Sequence, residues 1–183
     1  MYPIMHTAPC HLEFDVAPYR LSGVVYGTLL NHPAALVALG NAVHEPPYKA
    51  PPKAPVLYIK PANTWIGDGA PIPVPGDVEA LQLGAALGVV IGRTACRVPV
   101  DAALDYVAGY VVVNDVSVPH DSFYRPSIRL KCRDGFCPIS ATLVESERVP
   151  NPDALAVRVF VDGVLRQQNT TANLMRSTAR LIA

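Results

Sequence analysis

The sequence predicts an α+β fold that is mostly β, a roll of short strands with few short helices. Nineteen prolines among 183 residues favour frequent chain reversals and disfavour long helices. Two apolar runs, Leu87 to Gly92 and Val107 to Asn114, are rich in β-branched residues and too short for surface helices. The turn-rich segment from Gly67 to Asp77 is typical of a tight connection between short strands.

The length and composition favour one globular domain. A chain of 183 residues, half of them apolar, can bury a sizeable core. Fifteen basic and fifteen acidic residues give a formal net charge of zero, which argues against a nucleic-acid-binding protein. No apolar run approaches the ~18 to 20 residues that span a bilayer, so we expect no membrane association. The first residues lack the pattern of a signal peptide, and we expect a soluble cytoplasmic protein.

Residues 1–20 carry no clear hydrophobic period. We expect them to form a loose lead-in to a single domain over residues 21–183. The four cysteines stand at positions whose spacings fit no zinc signature, and a chain of this length does not need disulfide staples. We expect buried or incidental thiols at Cys10, Cys96, Cys132 and Cys137.

The first half of the chain reads as two strands separated by a helix and a proline-rich loop. The segment from Leu21 to Leu30 predicts a strand, and the turn after it leads into a short apolar helix from Ala34 to Leu39. Five prolines within residues 45–55 favour polyproline II, here interpreted as a rigid surface loop. Val56 to Ile59 then predicts the second strand.

The second half centres on the two β-branched runs. Between them, residues 99–106 predict a short helix, and the second run ends at the pair Asn114–Asp115. Further on, Leu155 to Val161 alternates and meets Asp162–Gly163, a strong hairpin signal. Thr170 or Thr171 can cap a final helix reaching Ala183, and the lack of a stop signal there predicts a truncated sequence.

Five segments carry a resemblance that none of them would carry alone. They are PVLYIKPANT (55–64), VVIG (89–92), DYVAGYVVVNDVS (105–117), KCRDGFCP (131–138) and DGVLRQQNT (162–170). In this order they resemble the fumarylacetoacetate hydrolase superfamily, over roughly residues 20 to 183. The resemblance implies a mixed β-roll with few short helices. It also implies a missing C-terminal Gly-Asp-x-x-x-Thr-Gly-Thr-Pro segment, so that the domain would be incomplete.

Two further segments resemble one branch of this family. YKAPPKAP (48–55) and FYRPSIRLKCRDGFCP (123–138) are similar to the first half, or first subunit, of the duplicated isomerase/decarboxylases of 4-hydroxyphenylacetate (homoprotocatechuate) degradation. The resemblance implies a small-molecule substrate of the 2-oxo or 2-hydroxy dienoic diacid class. It also implies an oligomer containing a homologous second half or subunit as partner.

The resemblance implies a Mg²⁺ or Mn²⁺ site in the family, built from a Glu-x-Glu pair on one strand and an Asp on the next. Residues two apart on a strand point the same way, so paired carboxylates converge on one hard cation. Here Gly84 and Ala86 occupy the glutamate positions, and only Asp115 is retained. Glu79 or Gln82 could replace the pair only through a register shift. We therefore expect this chain to bind the metal weakly.

The family's acid-base lid is also altered. Its His and Glu positions correspond to Ala35 and Ala38 in the segment that begins at Asn31, while the pair His44–Glu45 has the right chemistry at the wrong spacing. The pair is interpreted as a solvated turn. His120, close behind Asp115, is a better candidate for a substrate contact.

Lys131 matches a family lysine that faces the substrate carboxylate and the metal, and we assign it as the candidate catalytic residue; a solvated lysine is the alternative. Arg125 and Arg133 could complement a dianionic substrate, because guanidinium groups suit carboxylates, but Arg125 is equally plausible as a structural partner. Gln167 and Thr170 match family positions at the pocket edge, where a hairpin alone would also explain polar residues.

Three functional hypotheses remain open at this point. The chain is one half of a 2-hydroxyhepta-2,4-diene-1,7-dioate isomerase/5-carboxymethyl-2-oxo-hex-3-ene-1,7-dioate decarboxylase, with the complete catalytic set in its partner. Alternatively, it is a non-catalytic structural partner of a metal-binding homologue. The third hypothesis is a stand-alone family hydrolase or decarboxylase that uses Asp115 and a further ligand.

Overall fold

A computed structural model describes residues 12–120 and 127–183 of the chain. The helices within these ranges are α1 (Pro33–Leu39), α2 (Ile128–Lys131) and α3 (Thr178–Ile182). The strands are β1 (Val25–Leu29), β2 (Val56–Lys60), β3 (Trp65–Gly67), β4 (Ala85–Ile91), β5 (Val107–Asn114), β6 (Cys137–Ile139), β7 (Val144–Glu145), β8 (Ala156–Val161) and β9 (Val164–Thr170). The predicted fold class, mostly sheet with few short helices, is confirmed.

A mixed sheet of five strands positions the residues of interest. Its order is β3-β6-β5-β4, with β7 pairing beside β5. Strands β4 and β5 are antiparallel, whereas β3 and β6 are parallel. Two further antiparallel pairs, β1 with β2 and β8 with β9, complete the sheets described.

Strands β4 and β5 correspond to the two β-branched runs of the sequence. They pair from Ala85 opposite Asn114 to Ile91 opposite Val107. The link between them contains a 3-10 helix, Val100–Tyr106, where the sequence predicts a short helix. Asn114 ends β5, so Asp115 follows directly at the end of a strand whose neighbours on both sides fix its position.

The segment before β1 differs from the predicted loose lead-in. Phe14 is only 8% exposed and belongs to the hydrophobic core. The main-chain N–H of Asp15 donates to Ala141 O, and its carboxylate accepts a hydrogen bond from Leu143 N. Leu12, Val16 and Tyr19 are partly buried and pack against the core beside Phe14; residues 1–11 lie outside the described ranges. The buried residues of this core are Phe14, Trp65, Val111, Val113, Cys137, Ile139 and Leu143.

The predicted C-terminal helix is wrong over its first half. Thr170 caps only a 3-10 turn, Thr171–Asn173, and α3 begins after Ser177. The buried Thr171 hydroxyl donates to Pro152 O and accepts from Leu155 N, at 2.7 and 2.8 Å. These bonds hold Thr171 against the segment that precedes β8, 16 and 19 residues earlier in the chain.

The helices of the described ranges are short, of seven, four and five residues. None of them is long and apolar enough to cross a membrane. The described cysteines are free thiols: Cys96 is exposed, Cys132 is half-buried and Cys137 is buried. Burial raises the pKa of Cys137 to about 11, so this thiol stays protonated near neutral pH.

We expect Phe14→Ala to lower the free energy of unfolding by about 3 kcal/mol, because a large buried side chain is removed from the core. The matched control is Tyr26→Ala, since Tyr26 is 68% exposed and its loss should cost less than about 0.5 kcal/mol. Urea unfolding followed by circular dichroism measures both. Equal effects of the two substitutions would contradict the packing of residues 12–20.

Candidate functional site

Asp115 is the centre of a cluster of polar side chains at the end of β5. Its Oδ2 accepts hydrogen bonds from Tyr58 Oη at 2.6 Å and from Lys131 Nζ at 2.8 Å. Its Oδ1 lies 2.8 Å from Lys60 Nζ. We call Tyr58, Lys60, Asp115 and Lys131 the lysine–aspartate cluster.

Two members of the cluster, Tyr58 and Lys60, were not predicted as site residues. Both lie on β2, two positions apart, so their side chains share one face of that strand. The sequence already predicts a strand here, so it also predicts that Tyr58 and Lys60 lie on the same face. A lysine at a strand end is ordinarily solvated, however, and nothing local in the sequence indicates that this one is buried.

Lys60 is 1% exposed, and its ammonium group is surrounded by main-chain oxygens. It donates to Val116 O, Lys131 O and Phe136 O at 2.7, 2.6 and 2.8 Å. An ammonium group has three donors, so these carbonyls use all of them. Asp115 Oδ1 therefore contacts a positive charge but has no hydrogen-bond donor among the residues described.

Lys131 lies in α2 and is 4% exposed. Its ammonium group contacts Asp115 and lies 4.4 Å from the centre of the Tyr58 ring, an arrangement that stabilises a cation. It also lines a cavity of about 180 Å³ beside β2 and α2. Its ammonium makes one side-chain hydrogen bond among the described residues, so two of its three donors have no partner there.

The charges of the cluster shift the pKa values of its members. Burial alone would raise the pKa of Asp115, but the positive charges of Lys60 and Lys131 outweigh it, and the pKa lies below its ordinary value. Burial lowers the pKa of Lys60, and the charge of Asp115 opposes this effect only in part. Burial, together with the Asp115 charge, raises the pKa of Tyr58. Asp115 is therefore an anion and Tyr58 a neutral donor near neutral pH.

Gly84 and Ala86, which the sequence predicts at the family's glutamate positions, offer no side-chain ligand. Gly84 is bound through its main chain, since its N–H donates to Asn114 Oδ1 and its oxygen accepts from Asp115 N. A Cβ atom at this position would lie 2.7 Å from Asp115 O. A larger residue at position 84 would therefore require the main chain to move. Ala86 pairs with Val113 in the sheet.

The cluster is a poor match for a hard divalent cation. Such ions prefer several oxygen ligands, most of them carboxylates. The cluster offers one carboxylate with two ammonium groups at 2.8 Å, a formal local charge of +1. This arrangement instead favours an anionic group beside Lys131.

The structure brings only some predicted site residues into the cluster. Asp115 and Lys131 lie in it, whereas Arg125 lies outside the described residues. His120 is half-buried and is not among the described side chains that contact the Asp115 carboxylate. Gln167 lines a separate groove. Thr170 caps the turn after β9 by accepting from Ala172 N.

Other residues that the sequence singles out lie outside the lysine–aspartate cluster. Arg133 forms two hydrogen bonds with the carboxylate of Asp77, at 2.6 and 3.0 Å, so that it is a pair partner here rather than an open anion site.

His44 and Glu45 are exposed at the end of a 3-10 helix, as expected for a solvated turn. Ala35 and Ala38, which the resemblance predicts at the lid positions, lie on α1. Glu79 is exposed, whereas Gln82 bonds to the Ser117 main chain.

Comparison with protein families gives one match over most of the chain. The model described as fumarylacetoacetate (FAA) hydrolase C-terminal matches residues 24–183.

Named relatives fall into two groups. The 4-hydroxyphenylacetate degradation bifunctional isomerase/decarboxylase of Escherichia coli is 44% identical over 89% of this chain and 37% of its own length. The mitochondrial oxaloacetate tautomerase FAHD2 of Oryza sativa subsp. japonica is 35% identical over 87% of this chain and 70% of its own. The chain thus spans little more than a third of the bifunctional relatives.

Solved structures share the fold. The 5-carboxymethyl-2-hydroxymuconate delta-isomerase of Mycobacterium smegmatis is 29% identical with a TM-score of 0.70, over 88% of this chain and 61% of that one. Fumarylpyruvate hydrolase of Pseudomonas aeruginosa, solved with Mn²⁺ and pyruvate, is 23% identical with a TM-score of 0.76, over 100% and 78%. The second likeness concerns the fold alone.

We expect Lys60→Met to lower the free energy of unfolding by about 3 kcal/mol, because it leaves three buried carbonyls without a donor and removes one of the two cations beside Asp115. Lys53→Met is the matched control, since Lys53 is exposed, and it should change stability by less than about 0.5 kcal/mol. Chemical denaturation at neutral pH measures both. A loss no larger than that of the control would mean that these bonds do not hold the fold.

Proposed function

The chain belongs to the fumarylacetoacetate hydrolase family, and from this premise we propose that it is one half of a 4-hydroxyphenylacetate-catabolism isomerase/decarboxylase. In this proposal a homologous second half or subunit carries the complete metal site. The chain described here supplies packing and substrate contacts. The substrates are 2-oxo or 2-hydroxy dienoic diacids and related tricarboxylates.

The relatives support the reaction class. The bifunctional isomerase/decarboxylase of Escherichia coli has a higher identity to this chain than the tautomerase, 44% against 35%. This chain spans only 37% of that enzyme, which leaves room in that enzyme for a second region of comparable size.

The observation that carries the division of labour is the state of Asp115. Its carboxylate is held by two ammonium groups, each at 2.8 Å, and the neighbouring Gly84 offers only its main chain. A divalent cation there would have to compete with both lysines for one carboxylate. The metal of the family, which would stabilise an enolate, is accordingly proposed to lie in the partner.

The residues of this chain still suit one part of the task. Lys131 lines the cavity beside β2, and two of its donors have no partner among the described residues. An ammonium group so positioned can bind and orient a substrate carboxylate. Asp115 and the Tyr58 ring hold that ammonium in place. Lys131 would thus be a substrate-binding residue, with Lys60 and Tyr58 as positioning residues.

Two alternatives make different predictions. In the first, the chain is a purely structural partner and Lys131 only fills space between β2 and α2. In the second, it is a stand-alone family hydrolase or decarboxylase. The larger share of the tautomerase that it covers, 70% against 37%, favours a stand-alone catalyst of that kind.

We expect the purified chain to have little isomerase or decarboxylase activity alone, and we expect the homologous second half to restore it. The reason is that the proposed metal site lies in the partner. Absorbance of the dienoic substrate measures turnover of each half and of the mixture. High activity from the isolated chain would overturn the proposal in favour of a stand-alone enzyme.

Within an active assembly, Lys131→Ala separates the substrate-binding role from the structural one. Loss of one charged hydrogen bond to the substrate is expected to lower kcat/KM about tenfold. Lys53→Ala serves as the exposed control, and circular dichroism checks that both variants fold. Unchanged kcat/KM in folded Lys131→Ala would support a purely structural chain.

We expect calorimetric titration of the chain with Mn²⁺ to reveal no tight site, because one carboxylate already paired with two lysines is a poor ligand set. Asp115→Ala is compared with Asp68→Ala, whose carboxylate is exposed. A micromolar site that is lost in Asp115→Ala and retained in Asp68→Ala would overturn our assignment of the metal to the partner.

A further inference from the structure

A second cavity, of about 410 Å³, has none of the four residues of the lysine–aspartate cluster in its lining. It forms a groove between the β8–β9 hairpin and the segment that precedes β4. It shares no lining residue with the smaller cavity beside Lys131. We call it the hairpin groove, and its lining residues are Leu81, Gln82, Leu83, Pro119, Val159, Val161, Arg166 and Gln167.

A β-bulge shapes one wall of the hairpin groove. Val159 pairs with Gln167, but Phe160 pairs with Leu165, so Arg166 is the extra residue of β9. Successive side chains of a regular strand point to opposite faces. The bulge interrupts that alternation, and the adjacent Arg166 and Gln167 both line the groove. Bulges that re-aim a side chain in this way are common near functional sites.

The guanidinium of Arg166 makes no hydrogen bond or ion pair with any residue that the structure describes. This distinguishes it from Arg133, which is held by the carboxylate of Asp77. The amides of Gln82 and Gln167 likewise have no side-chain partner within the described ranges. No Asp or Glu occurs among the described residues that line the groove.

The remaining walls are apolar. Leu81 and Leu83 lie on one side, with Val159 and Val161 on the other. Small-molecule sites typically combine mostly apolar walls with a few polar groups, in cavities of about 300 to 1,000 Å³. The hairpin groove has this composition and size, and its single charged group is positive.

We propose that the hairpin groove binds a small organic carboxylate with an apolar body. The Arg166 guanidinium pairs with the carboxylate, because its planar fork matches that group, and the amides of Gln82 and Gln167 bind its remaining polar atoms. The leucine and valine side chains contact the hydrocarbon part. The family resemblance implies that Gln167 lies at the edge of a pocket, and Gln82 and Arg166 line the hairpin groove together with it.

This inference concerns binding alone and does not rest on the proposed division of labour between two halves. Its test is a direct titration without a partner or a turnover assay. If carboxylates do not bind in the hairpin groove, the proposed activity of a reconstituted assembly is still tested separately. Conversely, a chain that proves active alone could still bind carboxylates in the hairpin groove.

The experiment titrates the full chain with hexanoate and observes backbone and side-chain amide shifts by nuclear magnetic resonance. Hexanamide has the same hydrocarbon body without the charge, and acetate has the charge without the body. We expect hexanoate to bind more tightly than either, with the largest shifts at Gln82, Arg166 and Gln167. Equal shifts with acetate, indicating surface charge only, or tighter binding of hexanamide would overturn the proposal.

Two arginine variants localise the binding. Arg166→Gln should weaken hexanoate binding about tenfold, the usual size of a lost charged hydrogen bond. Arg158→Gln removes the same charge from the same hairpin at a position outside the groove lining, and it should leave affinity unchanged. Arg166 is exposed, so its replacement should preserve the fold, which the amide spectrum verifies. An equal effect of both variants would contradict the assignment to this groove.

Discussion

The buried ammonium of Lys60 is the interaction on which the rest of the site depends. A charged group that is only 1% exposed is costly unless it is paired and hydrogen-bonded. Here three carbonyls satisfy its donors, and the carboxylate of Asp115 balances its charge. The carbonyls belong to residues 56 to 76 positions further along the chain. One side chain thereby joins β2 to the end of β5, to α2 and to the entry into β6.

The same constraint determines what Asp115 can do. With its charge balanced by Lys60 and Lys131, the carboxylate holds its neighbours in place instead of remaining open to a ligand. Gly84 completes this arrangement, because the absence of a side chain lets its main chain bond directly to Asp115 N. The small residue and the two lysines therefore act together. This joint effect is why we propose a binding and packing role for the cluster.

Local pattern predicted the strands well and the site only in part. The β-branched runs became β4 and β5, and the Asp162–Gly163 turn joined β8 to β9, because periodicity and turn chemistry are local properties. The position of Asp115 at the end of a β-branched run is a local signal, whereas Lys131 is a candidate only through the family resemblance. Lys60 was missed because its burial depends on three distant carbonyls. The bulge at Arg166 was missed for a similar reason, since it is defined only by pairing with the opposite strand.

The two arginines that the structure places in contrasting surroundings show why charge and stability must be considered separately. Arg133 has a bidentate partner and so has a structural explanation. The charge of Lys60 likewise has a structural explanation, since its hydrogen bonds fix the fold. Arg166 has no hydrogen-bond or ion-pair partner among the described residues, although a bulge turns it toward an apolar groove. A bulge costs ladder hydrogen bonds, and an unpaired arginine returns none to the folded state. A ligand with a carboxylate supplies the interaction that the fold itself does not.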